Sequence, residues 1–389
     1  MFANIFDLYL TTPFSRQNNM EQVLQEIISI NPPFFEQPIT TIGNLYKTRH
    51  WFQLGKEILE LLNQPAMDGE KMNFYNKFVQ KFGCSLDPLH RAQIVYLVSQ
   101  DCSSPQAAIQ FLEENLSKSK EFKDAYNWLS LQIASKYIIN GEFETALQKV
   151  YHISLDLNEH SNLTVRSLYY KVKSMLDKAQ GDYDTFYKDA LYYLSTTPNA
   201  QDIVIAYDLC EAALISKSVC SFGELAAHPI LETLKNGENK WIYELILLLD
   251  NGSPEIIDQF ESQYLPIIKS KSHFSKFIND IKFKVTISVL TQLIFSKPFE
   301  SRIFTFEEVS SVCKIPKDQV EIVVLRALSA QIIKGFIDEI DERIVVTWCK
   351  PKALSRVRLE HLKAQIDRWI QRVHEQRVLL DMRSQNFFS

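Results

Sequence analysis

The hydrophobic period of this chain changes once, between Arg302 and Trp348. Thr305 stands three residues before Glu308, and Asp318 three before Glu321. That is capping-box spacing: the first side chain accepts a bond from an amide of the opening turn, and the carboxylate reaches back. Two short helices are therefore expected to start 13 residues apart, with Lys314-Ile315-Pro316 breaking the chain between them. In the second, Val320, Val323, Val324, Ala327 and Leu328 share one face, as a helical period requires. After Gly335 the period drops to two, Ile344, Val346 and Trp348 alternating with Val345 and Thr347. Phe336-Ile337 and Ile344-Val345-Val346 read as strands joined by the acidic turn 338–342, with a further short strand at 302–304. Strand, helix, helix, strand, strand is the order of a winged helix.

Many winged helices read DNA, and here the charges oppose it. Groove reading needs Lys and Arg against phosphate. The second helix sets Lys317 and Arg326 against Asp318 and Glu321, so it is neutral, and residues 302–348 carry a net of −2. Four carboxylates in the five-residue wing would repel a phosphate backbone. A protein partner suits this surface better, with an exposed sheet edge offering strand addition.

The rest of the chain reads as helical. From Leu45 to about residue 295, amphipathic segments of 12 to 20 residues alternate with short polar breaks. They include Trp51–Leu62, Met72–Phe82, His90–Ser99, Pro105–Leu116, Lys123–Ile139, Phe143–Ile153 and Val165–Ala179. Before them, a helical patch at Met20–Ile30 is expected to be broken by Asn31-Pro32-Pro33 and by Pro38. Only 10 glycines in 389 residues leave little room for phosphate-cradling loops. Gly141-Glu142-Phe143-Glu144-Thr145 and Gly181-Asp182-Tyr183-Asp184-Thr185 repeat at an offset of 40, and Asn251-Gly252 marks a degenerate third unit. In each, Gly ends one helix and frees the turn, while the aromatic is expected to pack between the pair. Stacked hairpins of this kind form a solenoid, a binding surface rather than a small-substrate pocket. A generic helical bundle is the other arrangement compatible with this texture.

After Cys349-Lys350-Pro351 a last helix is expected from about Ser355 to Arg383. Leu359, Leu362, Ile366, Trp369, Val373 and Leu380 form a heptad seam, with Gln376 where one more apolar residue would fall. The tail carries +4 and the remainder of the chain −9. Such a stripe must lie against its own domain or join a multi-chain bundle; a membrane surface is disfavoured by the interspersed carboxylates.

No catalytic constellation is found. The phosphate-loop, dinucleotide, Gly-x-Ser-x-Gly and His-Glu-x-x-His patterns are absent. Six cysteines (84, 102, 210, 220, 313, 349) lack Cys-x-x-Cys pairing and read as reduced, mostly buried thiols. His228, before Pro229, reads as a capping or packing residue rather than a base. The expectation is no enzyme, no metal and no cofactor. The start of the chain lacks a basic segment followed by a long apolar core, and runs such as Leu245–Leu249 are far too short to span a bilayer. Cytoplasm and nucleus are the expected compartments.

Helical repeats, a winged helix and a bundling tail together resemble PCI-domain proteins. These are subunits of the proteasome lid, the COP9 signalosome and translation initiation factor three. The resemblance is carried by Trp51-Phe52-Gln53-Leu54, Ser221-Phe222-Gly223-Glu224-Leu225 with His228-Pro229-Ile230, and Phe304-Thr305-Phe306-Glu307-Glu308-Val309. Ile315-Pro316-Lys317-Asp318-Gln319-Val320-Glu321 and Lys334-Gly335-Phe336-Ile337-Asp338 complete it. It is nearest to the subunits of the 26S proteasome lid in the 19S regulatory particle.

The resemblance implies a mainly α fold: a helical-repeat (TPR-like) solenoid, a winged-helix (PCI) domain and a C-terminal bundling helix. The expected segments are 1–44 (N-terminal segment), 45–200 (repeat arm), 201–298 (helical part of the PCI domain), 299–349 (winged helix) and 350–389 (terminal helix). It implies a non-catalytic scaffold for lid assembly in ubiquitin-dependent degradation. PCI- and MPN-domain lid subunits and the ubiquitin-receptor subunit would be its partners, with no nucleic acid and no membrane. A PCI subunit of either related complex, or a nucleic-acid-binding winged-helix protein, is the alternative. The implied PCI–PCI contacts fall on Ile303, Phe304, Phe336, Ile344, Val346 and Trp348. The implied bundle contacts fall on the heptad seam.

Overall fold

The computed structural model describes residues 32–102, 104–157, 161–197, 202–271, 273–298, 301–352 and 356–385. The described chain is mainly α-helical, with one small sheet. Contacts divide it into two compact units, residues 1–182 with 189–198, and 183–188 with 199–389. The Met20–Ile30 patch lies outside the described residues.

The helices of the first unit are α1 (Pro32–Thr48), α2 (Trp51–Leu62), α3 (Lys71–Lys77), α4 (Pro88–Ser99), α5 (Pro105–Lys118), α6 (Lys123–Asn140), α7 (Phe143–Asp156) and α8 (Leu163–Gln180). Of the prolines expected to break the chain, Pro38 does not interrupt a helix, and the end of the patch before Pro32 lies outside the described residues. Pro32 opens α1, where a missing amide costs nothing, and Pro38 sits inside it, forgoing one backbone bond. Only the first half of the predicted Met72–Phe82 helix is regular. The rest tightens into 3₁₀ turns at Val79–Lys81 and Gly83–Ser85.

Successive even-numbered helices pack side by side, α2 on α4, α4 on α6 and α6 on α8, with α5 and α7 laid against α6. This is the stacked-hairpin arrangement. α6 sits at its centre and is buried nearly all round, from Ala125 and Trp128 to Ile133 and Ile138. Close approach of α2 to α4 depends on Gly55, where a Cβ would stand 2.9 Å from His90 Nδ1.

Both repeat glycines are left-handed, Gly141 at φ +85° and Gly181 at φ +78°. Each closes a Schellman motif: Gly141 N bonds Ile138 O and Glu142 N bonds Tyr137 O, and 40 residues on Gly181 N bonds Lys178 O and Asp182 N bonds Asp177 O. Gly252 is left-handed too, with the simpler single bond to Leu248 O. One expectation fails: Phe143 is exposed rather than packed between the helices of its pair.

Helix α9 (Tyr183–Thr196) contributes its first residues to the second unit and the remainder to the first. In the second unit follow α10 (Ile203–Ile215), α11 (Gly223–Ala227), α12 (Lys240–Asn251), α13 (Ile256–Gln259), α14 (Leu265–Ser270) and α15 (Ile278–Ser296). A π turn over Phe260–Tyr264 joins α13 to α14, one residue ahead of Pro266, which lacks the amide a regular helix would use there. The Ser221–Leu225 and His228–Ile230 blocks are explained by packing: Phe222, Leu225 and Ile230 are core residues. His228 Nδ1 accepts from the Ile230 amide at 3.2 Å, so this histidine is a cap, as its place before Pro229 predicted.

Candidate protein-interaction site

The winged helix comprises β1 (Ile303–Thr305), α16 (Phe306–Cys313), α17 (Lys317–Ser329), β2 (Ile333–Asp338) and β3 (Arg343–Cys349). The sheet is antiparallel in the order β1-β3-β2. Thr305 caps α16 by accepting from the Glu308 amide at 3.2 Å. The Glu308 carboxylate does not complete the box; it pairs with Lys297 at 2.7 Å. That ammonium also lies 4.3 Å from the Phe304 ring centroid, tying the end of α15 to the sheet.

The second predicted box does not form. Pro316 occupies the N-cap position and α17 begins at Lys317, so Asp318 falls inside the first turn. Proline at the boundary supplies a fixed φ but no side-chain acceptor. Lys314 makes the break by adopting φ +50°. Between β2 and β3 a bulge sits at Lys334/Gly335, where a Cβ would come within 2.0 Å of Val345 O. Only glycine fits that contact.

The six predicted winged-helix contact residues separate into two sets. Phe304, Ile344 and Val346 are buried in the domain core and offer no side chain to a partner, which corrects the expectation. The register shift at Lys334/Gly335 turns Trp348 off the face that period-two alternation shared with Ile344 and Val346. Ile303, Phe336 and Trp348 are exposed. Ile303 and Phe336 both pair with Val345, one from each neighbouring strand, so an apolar row crosses the outer face of the sheet. Trp348 pairs with Lys334, whose ammonium lies 5.1 Å from the indole centroid.

Both cations of α17 are engaged. Lys317 bonds Glu342 of the wing at 2.5 Å, and Arg326 reaches Asp280 at 3.3 Å. The Glu342 carboxylate holds the Lys317 ammonium above its ordinary value. With Lys317 held by the wing carboxylate, the start of α17 is poorly placed to release phosphate counterions.

The terminal helix α18 (Arg356–Gln385) carries the seam residues Leu359, Leu362, Ile366, Trp369, Val373 and Leu380. All six are exposed, as are Ile370, Val378 and Leu379 beside them. Every side chain described from Leu359 to Asp381 faces solvent. Among its described side chains, none is packed away against the rest of the second unit.

Among the described residues, sequence reasoning missed further exposed apolar features, these three among them. Ile322 and Leu325 lie on the outer face of α17, Ile340 tips the wing, and Phe143, Leu147, Tyr151 and Leu155 form a ridge along α7. Spacing of three and four marked the helical ones, but amphipathic periodicity does not say which stripe is covered. Of the cysteines, Cys210, Cys313 and Cys349 are buried, and burial pushes the first two thiols up to about 12 and the third to about 11. Cys84 is exposed, and Cys102 and Cys220 are half-buried. Among the described residues no cluster of His, Cys, Asp or Glu could hold a metal ion, and no helix is long and apolar enough to cross a membrane.

Comparison with known proteins places this architecture. The family of PSD13 N-terminal repeats matches residues 38–246, more than half of the chain. The chain belongs to that family. Similar curated proteins extend the likeness over about nine-tenths of the chain. The 26S proteasome non-ATPase regulatory subunit 13 of Dictyostelium discoideum is 28% identical over 363 residues, 90% of this chain and 94% of that protein. The 26S proteasome regulatory subunit RPN9 of Saccharomyces cerevisiae is 25% identical, over 92% of this chain and 94% of its own length. In Arabidopsis thaliana, the 26S proteasome non-ATPase regulatory subunit 13 homolog A is 26% identical, over 91% of this chain and 95% of its own. The PCI-type resemblance of the motifs is thereby narrowed to a PSD13-family chain.

Proposed function

We propose that this PSD13-family chain is a regulatory subunit of the 26S proteasome, acting as a non-catalytic scaffold of the lid in ubiquitin-dependent degradation. The relatives' names support the proteasome role. The observation that carries the scaffold role is the terminal helix, whose seam of Leu359, Leu362, Ile366, Trp369, Val373 and Leu380 is laid bare along its length. Leaving so many apolar side chains in water is unfavourable unless other helices cover them. A multi-chain bundle supplies that cover, while the outer sheet row of Ile303, Val345 and Phe336 meets a neighbouring PCI subunit. Other PCI- and MPN-domain lid subunits and the ubiquitin receptor are the partners, in cytoplasm and nucleus.

The test is the native mass of the tagged chain purified under mild conditions. Co-migration with a large assembly containing proteasome subunits is expected. Recovery solely as a free 45.2 kDa monomer would refute the reading.

A further inference from the structure

Lys284, in the middle of α15, is only 2% exposed. An ammonium so placed is costly unless countercharge and hydrogen bonds surround it. Its Nζ donates to Ala213 O at 2.6 Å, on the last turn of α10. The carboxylates that act on it are Asp184 and Asp280, and both are engaged elsewhere. Asp184 accepts from the Ser216 hydroxyl and from the Ser218 amide, and Asp280 pairs with Arg326. Burial outweighs these attractions and pulls the Lys284 ammonium down to about 8. The group is under-compensated where it stands.

Lys284 lines an open cleft of about 450 Å³ together with Lys217, Cys220, Asp280, Phe283 and Arg326. Three cations therefore face one carboxylate, which is itself bonded to one of the three. Lys284, Lys350 and Arg326 act on the Cys220 thiol, with Asp184 opposing them. This is a positive spot on a chain of net charge −5. The Arg326 guanidinium is seated over the Phe283 ring, 3.9 Å from its centroid. Arg326 also belongs to the outer face of α17, where Ile322, Leu325 and Ser329 stand at helical spacing beside it. Ser329 lines the cleft, and Ile322 and Leu325 are exposed, so the basic cleft runs into an apolar ridge.

We propose that this cleft and ridge form a docking site for a segment of a partner protein in which a carboxylate side chain stands beside apolar ones. The carboxylate enters between Lys217, Lys284 and Arg326, and the apolar residues cover Ile322 and Leu325. The proposal rests on the reading of this winged helix as a protein-binding module and adds the chemistry of what it receives. The acidic wing meets α17 at Lys317, nine residues before Arg326, so a single carboxylate at the cleft stands clear of it, whereas a phosphate backbone extended along α17 would be repelled.

The probe is a short fluorescein-labelled peptide alternating leucine and glutamate, titrated against the full-length chain and followed by anisotropy. Saturable binding is expected, weakened about tenfold or more by Lys217→Glu with Arg326→Glu and by replacing the peptide's glutamates with glutamine. Ile322→Ser should weaken it separately. Peptide should also slow alkylation of Cys220 by neutral iodoacetamide, while the exposed Cys84 reacts unchanged. The substituted side chains at 217, 322 and 326 are exposed, and an unaltered melting curve checks the fold of each variant.

No saturable binding, equal binding by the charge-reversed variant, or an unprotected Cys220 overturns the proposal. Equal protection by inorganic phosphate alone also overturns it, leaving a small-oxyanion site. Peptide binding by the isolated chain is independent of co-migration with a proteasome assembly, so the two readings fail separately.

Discussion

Truncating the seam of the terminal helix should uncouple assembly from folding. Consider Leu362→Ala combined with Ile366→Ala. In the free chain these side chains are 41% and 49% exposed. Removing them from an exposed helix face changes stability by no more than about 0.5 kcal/mol each, partly offset by alanine's higher helix propensity. The melting temperature of the isolated chain should therefore move by about 2 °C or less. In a bundle the same exposed fractions become covered. With full burial of either side chain contributing about 1.5–3 kcal/mol, covering what remains exposed contributes about 1.3–2.7 kcal/mol for the pair. Cavity terms add to that figure. At about 1.4 kcal/mol per tenfold, association should weaken by about 10- to 100-fold. The assay pairs thermal melts of the isolated chain with quantitative incorporation of the variant into the purified assembly. A melting point lowered by many degrees with incorporation intact would refute the reasoning, because it would mean that the seam packs on its own chain.

Three other outcomes follow from local geometry. Gly335→Ala places a Cβ 2.0 Å from Val345 O and should cost more than about 3 kcal/mol, whereas Gly141→Ala, left-handed but with nothing within 4 Å, should cost about 1–2 kcal/mol; chemical denaturation ranks the two. Thr305→Ala removes the acceptor for the Glu308 amide and should cost about 1 kcal/mol, measured the same way.

The third concerns pH. Burial, and then the neighbouring Asp189 carboxyl, push Asp177 up to about 7, with Lys173 holding Asp189 at 2.9 Å. The folded arm keeps a proton that the unfolded carboxyl releases near pH ~3.9, so stability should fall as pH rises from about 4 to about 7 and level off above it. Melts across that range should show the slope, and Asp177→Asn should flatten it.

The order of the winged-helix elements was legible because each local signal agreed: Thr305 at a cap, a break at Lys314–Pro316, and alternation after Gly335. Helix positions in the arm were legible for the same reason, down to Trp51–Leu62, which begins and ends where the periodicity does. Pro316 shows the limit. A capping-box spacing at Asp318 and Glu321 was present, but a proline two residues earlier had already fixed the helix start. The pattern also could not separate Phe304 from Ile303, because adjacent residues on a strand are both apolar here and only the sheet's packing on α16 and α17 decides which one turns inward.

Sequence by itself determined the helical texture, the repeat turns at Gly141 and Gly181, the winged-helix order and the heptad seam. Each is written in residues within a few positions of one another, where propensity and period act directly. Tertiary structure decided which apolar stripes are covered and which remain bare. It also brought Lys217, Lys284 and Arg326 from three separate elements to one cleft. Burial and charge compensation depend on neighbours distant in the chain, and no local period encodes them.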